Sequence, residues 1–276
     1  MGAPITVRVD QCVYPNKKML EPKIQFKDVS IFFDNSSKKE IILQNLDFEV
    51  FADEFVCILG PSGSGKTTIL GLTAGFIKPT SGNILFNSKK INRPDNSRTL
   101  VFQDYALFPW LNILDNVAFG LTAKNHKNNH SREKALEYLN MVGLAEYKDH
   151  SVSQLSGGMK QRVAIARALA VDPEVLLLDE PFGALDQQTR ENMQIELLRL
   201  MSKTKKTVLF VTHSVDEALK LADRILIIGG KPGKLLFDTT IALSKPRDLL
   251  NTQLVSIRSK ILDKLAQPDL SMGSDI

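Results

Sequence analysis

The sequence predicts an α/β fold with a mostly parallel core sheet, and three features support this prediction. Unbroken apolar runs, which suit strands that helices cover on both faces, lie at residues 55–59, 175–178, 208–211 and 225–228. Segments with a helical apolar period lie between them, such as the stripe from Met193 to Met201. Short β-rich pieces precede the first run and predict an antiparallel β-subdomain.

The chain divides into three expected segments. Residues 1–22, a polar stretch with prolines, are expected to form an N-terminal extension outside the core. The main domain spans residues 23–240 and begins with β-rich pieces between residues 24 and 50. Residues 241–276 continue an amphipathic pattern, so we expect a C-terminal helical tail.

Two helical features within the main domain are also predicted. Residues 103–172 are mostly helical in pattern, with one helix from Ser131 to Gly143, and we expect them to form an inserted helical subdomain. Further along the chain, Ser214 and Glu217 have the spacing of a capping box at the start of a helix.

Composition limits the class of protein. The 276 residues are 43% apolar and 24% charged, with a formal net charge of +4, which is typical of a globular domain. No apolar run approaches the roughly twenty residues that a membrane-spanning helix needs, so we expect the protein to stay in the cytosol. Two cysteines, Cys12 and Cys57, are too few for a disulfide framework. Cys57 lies in the first apolar run, where we expect a small buried apolar side chain.

A glycine-rich segment between the first apolar run and a helical segment predicts a phosphate-binding loop. It consists of Gly60, Pro61, Ser62, Gly63, Ser64, Gly65, Lys66, Thr67 and Thr68. Glycines allow successive N–H groups to point at phosphate oxygens, and the helix that follows adds its positive dipole end. We expect Lys66 to reach the β- and γ-phosphates and the Thr67 hydroxyl to hold Mg²⁺. The segment therefore predicts a site for a nucleoside triphosphate with Mg²⁺.

Polar residues follow three other predicted strands. Asp179 and Glu180 come directly after the second apolar run, His213 follows the third, and Gln103 follows Leu100-Val101-Phe102. Carboxyl ends of parallel strands meet at the edge where ligands bind. We expect Asp179 to hold the metal and Glu180 to accept a proton from the attacking water. His213 could bond the γ-phosphate and Gln103 could sense the metal or the water.

The segment Leu155-Ser156-Gly157-Gly158-Met159-Lys160-Gln161-Arg162 predicts a second anion site, because a hydroxyl and free N–H groups begin an amphipathic helix there. With this motif just before the Asp179-Glu180 strand, the chain resembles the ATP-binding cassette (ABC) ATPases over residues 23–240. The resemblance implies a P-loop NTPase fold whose cofactors are ATP and Mg²⁺. A GTPase or small-molecule kinase would not need this motif. A non-transport cassette ATPase is expected to show tandem cassettes, zinc cysteines or a coiled coil.

The resemblance also implies roles for individual residues. Gln103 corresponds to the glutamine near the metal and His213 to the switch histidine. Three signature residues cap ATP held by a partner subunit, namely Ser156, Gly157 and Gly158, and Asp186 of the segment Ala184-Leu185-Asp186 joins them in trans. The aromatic residue that stacks on adenine corresponds to Phe33, with Phe32 as the alternative, where the family usually has tyrosine.

The resemblance implies partners as well. One phosphate loop and one signature motif imply a head-to-tail dimer of two copies, and a chain without membrane spans would need a separate permease. The segments 103–117, 180–186 and 223–233 are similar to bacterial importers for nitrate, sulfonate, taurine and bicarbonate. An importer for another solute is the alternative. A solute-binding protein is then an indirect partner, nucleic acid is not a partner, and the expected location is the cytoplasmic face of the inner membrane.

Large apolar residues follow Gln103 in the segment Leu107-Phe108-Pro109-Trp110-Leu111. A protein without partners gains little from exposing such a cluster. We expect Phe108 and Trp110 to contact a short cytoplasmic helix of the permease. The alternative is that both aromatic side chains pack the core of the helical subdomain.

Overall fold

The computed structural model describes residues 21–35, 38–122 and 128–266, except for the side chains of residues 33–35, 38–39 and 128–129. The predicted N-terminal extension lies outside the described residues, apart from residues 21 and 22. The strands are β1 (Ile24–Asn35), β2 (Lys38–Val50), β3 (Phe55–Leu59), β4 (Ser81–Phe86), β5 (Lys89–Lys90), β6 (Arg98–Val101), β7 (Val175–Asp179), β8 (Thr207–Thr212), β9 (Arg224–Gly229) and β10 (Lys234–Thr240). The α-helices are α1 (Lys66–Ala74), α2 (Ile113–Thr122), α3 (Asn128–Met141), α4 (Gly157–Ala170), α5 (Gln187–Thr204), α6 (Val215–Leu221) and α7 (Thr252–Ala266).

The core sheet has the strand order β10-β9-β3-β8-β7-β6. All neighbours are parallel except β10, which pairs antiparallel with β9. The four predicted apolar runs form β3, β7, β8 and β9, and every residue of these strands is buried. Side chains alternate between two apolar clusters, as Cys57 and Phe210 face one and Ile58 and Leu209 face the other. The predicted mostly parallel sheet is therefore confirmed, with both faces covered.

The second sheet has the order β2-β1-β4-β5 and is antiparallel throughout, which confirms the predicted β-subdomain. Phe26 and Phe48 stack with ring centroids 4.3 Å apart on its inner face. That face shares an apolar cluster with α1 and one side of the core sheet. The subdomain thereby places β2 beside the segment that precedes α1.

Helices α2, α3 and α4 form the inserted subdomain around buried side chains such as Val117, Leu139 and Val163. Residues 102–112 are a loop, so the helical part of the predicted segment is shorter than expected. The prediction that Ser131 starts a helix is wrong, because α3 already begins at Asn128 and Ser131 is buried within it. Gly143 follows the end of α3 with a left-handed φ of 68°.

The C-terminal helix α7 packs against the domain. Leu254 and Ile261 are completely buried in the cluster that also contains Phe55 and Ile225. Arg247 joins the preceding segment to the end of α6 by donating to the carbonyls of Leu219 and Ala222. The predicted helical tail is therefore part of the packed structure as far as Ala266. Among the described residues, none of the helices combines the length and the apolar character that crossing a membrane requires.

Candidate functional site

The phosphate loop connects β3 to α1, and two of its glycines, Gly60 and Gly65, lie where no side chain would fit. A Cβ at Gly60 would lie 2.0 Å from the Ile228 carbonyl oxygen. Gly65 caps α1 with a φ of 89°, and a Cβ there would lie 2.4 Å from Leu43 Cδ2. Strands β9 and β2 therefore contact the loop backbone from two sides and restrict its conformation.

The Lys66 ammonium lies inside this loop. It donates to the carbonyl oxygens of Gly60 and Pro61, both at 2.9 Å. Burial lowers the pKa of Lys66, and the carboxylates of Glu180 and Asp179 act in the opposite direction. The cation is thus held at the loop by two backbone carbonyls, and its pairing with phosphate oxygens stays a prediction.

Thr67 and Asp179 form a second polar contact at the start of α1. The Thr67 hydroxyl donates to Asp179 Oδ1 at 3.3 Å. Burial raises the pKa of Asp179, while the bond from Thr67 lowers it. A hydroxyl and a carboxylate oxygen are ligands that suit Mg²⁺, which binds through one or two protein groups and keeps water. The residues present therefore fit the metal that the sequence predicts.

Glu180 follows β7 and lies next to His213, which follows β8. Its backbone is left-handed, with a φ of 42°, and its N–H donates to the Val211 carbonyl at 3.0 Å. Its Oε2 lies 3.0 Å from His213 Nδ1. A methyl group at Gly183 would lie 3.9 Å from both Glu180 Oε2 and Gln103 Nε2. His213 thus contacts Glu180, and the side chains of Glu180 and Gln103 both border the Cβ position of Gly183.

Gln103 is not hydrogen-bonded to the Thr67 and Asp179 pair among the described residues. The predicted metal role of Gln103 therefore stays a prediction, whereas its position beside Glu180 is a feature of the structure.

A cleft of ≈ 970 Å³ opens in front of the loop, and several of its residues were not predicted. The cleft is lined by Glu40, Ile41, Ile42, Ser62, Gly63, Gly65, Lys66, Thr67, Thr68, Glu180, Lys231 and Pro232. Lys231 is exposed, and its Cε lies 3.8 Å from the Cβ position of Gly63. It comes from the β9–β10 connection, which Gly233 fastens to β2 by donating to the Ile42 carbonyl at 2.8 Å. The sequence linked residues 223–233 only to a resemblance to importers and did not predict that Lys231 lines the cleft.

The stacking of Phe33 on adenine stays a prediction. The backbone of Phe33 pairs with Glu40, a residue of the cleft, across β1 and β2. The Phe33 side chain lies outside the described residues.

The signature residues occupy the N-terminus of α4, away from the phosphate loop. Ser156 caps α4 by accepting from the Met159 N–H at 3.3 Å. A Cβ at Gly157 would lie 3.2 Å from Leu185 Cδ2, and one at Gly158 would lie 2.7 Å from Thr189 Cγ2. The N-termini of α4 and α5 are therefore neighbours.

Asp186 caps the N-terminus of α5, since its carboxylate accepts from the Thr189 N–H at 3.0 Å. This backbone bond lowers the pKa of Asp186. No hydrogen bond joins Ser156 or Asp186 to Lys66 among the residues that the structure describes. The two predicted anion sites are thus separate within one chain.

An aromatic cluster lies on the helical subdomain and consists of Phe108, Trp110 and Phe119. The ring centroid of Phe108 lies 5.4 Å from that of Trp110 and 4.4 Å from that of Phe119. Trp110 is 75% exposed and Phe119 is 48% exposed. The alternative that both predicted aromatic residues pack the core is therefore wrong for Trp110, while Phe108 is half-buried.

Comparison with known proteins places this geometry in a family. The model of the family described as ABC transporter matches residues 43–183. An uncharacterized ABC transporter ATP-binding protein of Methanocaldococcus jannaschii is 45% identical over 89% of this chain and 92% of its own length. The bicarbonate transport ATP-binding protein CmpD of Synechococcus elongatus is 40% identical, with 94% and 96% coverage. The taurine import ATP-binding protein TauB of Pseudomonas aeruginosa is 46% identical, with 75% and 79% coverage.

Solved structures agree with the sequence relatives. A dimeric ATP-binding cassette in a post-hydrolysis state, bound to ADP and Pi, is similar with a TM-score of 0.71 and 34% identity. The comparison covers 80% of this chain and all of that one. With the phosphate loop, the strand-end carboxylates and the signature helix all in place, the chain belongs to the ABC transporter family, as an ATP-binding cassette ATPase.

Proposed function

We propose that the chain is the ATP-hydrolysing subunit of an importer for a small anion such as nitrate, sulfonate, taurine or bicarbonate. The resemblance of residues 103–117, 180–186 and 223–233 to such importers supports this. So do the relatives named for bicarbonate and taurine transport, at 40% and 46% identity. An importer of the same build for another solute is the alternative, because the chain that hydrolyses ATP does not bind the solute.

One observation carries the dimeric part of the proposal. Lys66 and Ser156 lie on separate elements and share no hydrogen bond among the described residues, although the family uses both on one ATP. Two copies in head-to-tail arrangement bring Lys66 of one copy to Ser156 of the other, so that each ATP is enclosed twice. The similar cassette whose solved structure is dimeric supports this arrangement.

The proposed chemistry uses the groups around Glu180. Thr67 and Asp179 would hold Mg²⁺, with Gln103 nearby, and the ion would neutralise charge on the phosphates. Glu180 takes the proton of the attacking water, and His213 orients the Glu180 carboxylate through the 3.0 Å bond. Lys66 balances the negative charge that the phosphates bring into the loop.

The aromatic cluster is the proposed contact with the permease. An exposed tryptophan beside two further aromatic rings is the kind of anchor that partner helices use. The chain would then lie peripherally on the cytoplasmic face of the membrane, and a solute-binding protein would deliver the anion to the permease. Nothing in this proposal requires nucleic acid.

A double substitution at the cluster tests the proposal. We expect Phe108→Ala with Trp110→Ala to weaken association with the co-purifying membrane protein at least about tenfold, since exposed aromatic anchors carry much of an interface. Solute-stimulated ATP turnover should disappear, whereas the melting temperature and ATP affinity should be retained. The control is Leu250→Ala, which removes another exposed apolar side chain from a distant segment.

The outcomes separate the possibilities. A panel of nitrate, taurine, an alkyl sulfonate and bicarbonate identifies the solute by which one raises turnover in the wild-type complex. A collapsed melt with normal association of the remaining folded fraction would contradict the docking role of Phe108 and Trp110. Stimulation by none of the four anions would contradict the proposed solute class.

A further inference from the structure

The loop between β6 and α2 contains a strained turn. Tyr105 and Ala106 are both left-handed, with φ values of 59° and 47°, and neither is a glycine. A residue other than glycine populates the left-handed conformation roughly tenfold less than the right-handed one. Two such residues in succession therefore persist only where neighbouring groups stabilise them. The turn lies between Gln103 and Phe108, which are the two ends of the loop that the proposed function uses.

Arg167 on α4 supplies the contacts that hold this turn. Its guanidinium donates to the Tyr105 carbonyl at 2.9 Å and to the Ala106 carbonyl at 2.7 Å. The same group lies 5.4 Å from the ring centroid of Phe108. The two terminal nitrogens of the guanidinium thus each bind one carbonyl of the turn, which suits the planar fork of an arginine.

The environment of Arg167 is unusual for a cation. Burial lowers the pKa of its guanidinium, and no carboxylate among the described residues pairs with it. An arginine stays protonated in proteins, so this half-buried charge lies against carbonyl dipoles and a ring. A side chain that served only to fill space would not need this charge.

The loop is also attached at two further points. Tyr105 Oη lies 3.6 Å from the Cβ position of Gly157, next to the Ser156 cap. Asn116 of α2 accepts from the Phe108 N–H at 2.8 Å and donates to the Phe108 carbonyl at 3.1 Å. The turn therefore touches α4 near its first residue and again at Arg167, about 16 Å further along the helix.

We infer that Arg167 is a positioning residue that locks the loop carrying Gln103, Phe108 and Trp110 to the signature helix α4. A displacement at the aromatic cluster then moves Ser156, and nucleotide binding at the signature moves the cluster. This inference rests on the proposed function for its physiological meaning. Its physical content, that Trp110 responds to nucleotide through Arg167, needs copies of this chain and nucleotide but no permease.

Trp110 is the single tryptophan of the sequence, so its fluorescence reports on the loop directly. The measurement is the emission anisotropy of Trp110 in the full chain, with and without ATP and Mg²⁺, in a Glu180→Gln background that limits hydrolysis. We expect ATP to change the anisotropy when Arg167 is present. In Arg167→Lys the change should fall to less than about one fifth, because a lysine cannot span both carbonyls.

A matched control lies on the same helix. Arg162 donates to the Val142 carbonyl at 3.3 Å within the subdomain, and no hydrogen bond joins its side chain to the loop among the described residues. We expect Arg162→Lys to keep the ATP-dependent change of Trp110 anisotropy. Ala106→Gly should restore at least half of the change in the Arg167→Lys variant, because glycine adopts the left-handed conformation without help.

Three results would overturn the inference: no ATP response of Trp110 in the background variant, an undiminished response in Arg167→Lys, or an equal loss in Arg162→Lys. Failure of Ala106→Gly to rescue would overturn the role of the left-handed turn. None of these readouts needs a permease or a solute. An absent solute response with an intact Trp110 response would contradict the proposed importer alone.

Discussion

Replacement of Glu180 by Gln separates proton transfer from nucleotide binding. The amide oxygen of Gln can accept the hydrogen bond that the carboxylate now shares with His213 Nδ1 at 3.0 Å. The left-handed backbone at position 180 is held by the bond from its N–H to Val211, which is independent of the side-chain charge. We therefore expect the variant to fold normally and to lack only the proton acceptor.

The expected magnitude follows from the role. A positioned general base contributes about 10²–10⁴-fold to a rate, or roughly 3–5 kcal/mol of the barrier, so kcat for ATP hydrolysis should fall by that factor. ATP affinity should hold or rise, because the substitution removes a negative charge from the cleft that receives the phosphates. Bound ATP that is not hydrolysed should then favour the dimer.

Phosphate release measures kcat, titration with a fluorescent ATP analogue measures Kd, and size-exclusion chromatography with ATP measures assembly. The control is Glu191→Gln, which neutralises a carboxylate on α5 that pairs with Lys220 at 3.8 Å and lies outside the cleft. Turnover of Glu180→Gln within about tenfold of wild type would refute the assignment of Glu180 as the base. A normal loss of turnover with only monomers in ATP would instead refute the head-to-tail dimer.

Two further predictions concern residues that the structure added. Lys231→Ala should raise the Kd for ATP about threefold to tenfold with little change in kcat, since an exposed ammonium contributes about 1 kcal/mol. The control is Lys234→Ala, because Lys234 lines a separate cleft. An equal rise of the Kd in both variants would contradict a specific contact between Lys231 and ATP. Ile261→Ala should lower the free energy of unfolding in urea by about 2–5 kcal/mol, because the side chain is fully buried. Leu262→Ala, at 44% exposure, should change it by about 0.5 kcal/mol or less, and equal losses would contradict the packing of α7.

Local patterns predicted much of the site because it is built at strand ends. An unbroken apolar run that stops at a polar residue marks the edge of the sheet, which is how Asp179, Glu180 and His213 could be placed together. The glycines of the phosphate loop carry their own signal, because only glycine fits where strands press on the backbone. Such information lies within a few residues of the site in sequence.

Contacts between distant segments could not be predicted in this way. Lys231 reaches the cleft only because Gly233 pairs with β2, almost two hundred residues earlier in the chain. The capping box at α6 failed for a different reason, a competing partner close by in the sequence. Ser214 does accept from the Glu217 N–H at 3.3 Å, but the Glu217 carboxylate accepts from Thr212 Oγ1 at 2.6 Å instead of returning to the cap. The buried Thr212 hydroxyl outcompeted the N–H of the cap.

The distribution of apolar contacts limits how the helical subdomain can move. Val117, Leu139 and Val163 belong to the same buried cluster as Phe210 of the core sheet, so no layer of water separates the subdomain from the sheet. A packed interface of this kind resists opening but permits small rigid rotations. Because Arg167 ties the loop of Trp110 to α4, such a rotation would carry the aromatic cluster and the signature together. In the proposed head-to-tail dimer such a rotation would move Ser156 relative to the ATP of a second copy, without a hinge inside the subdomain.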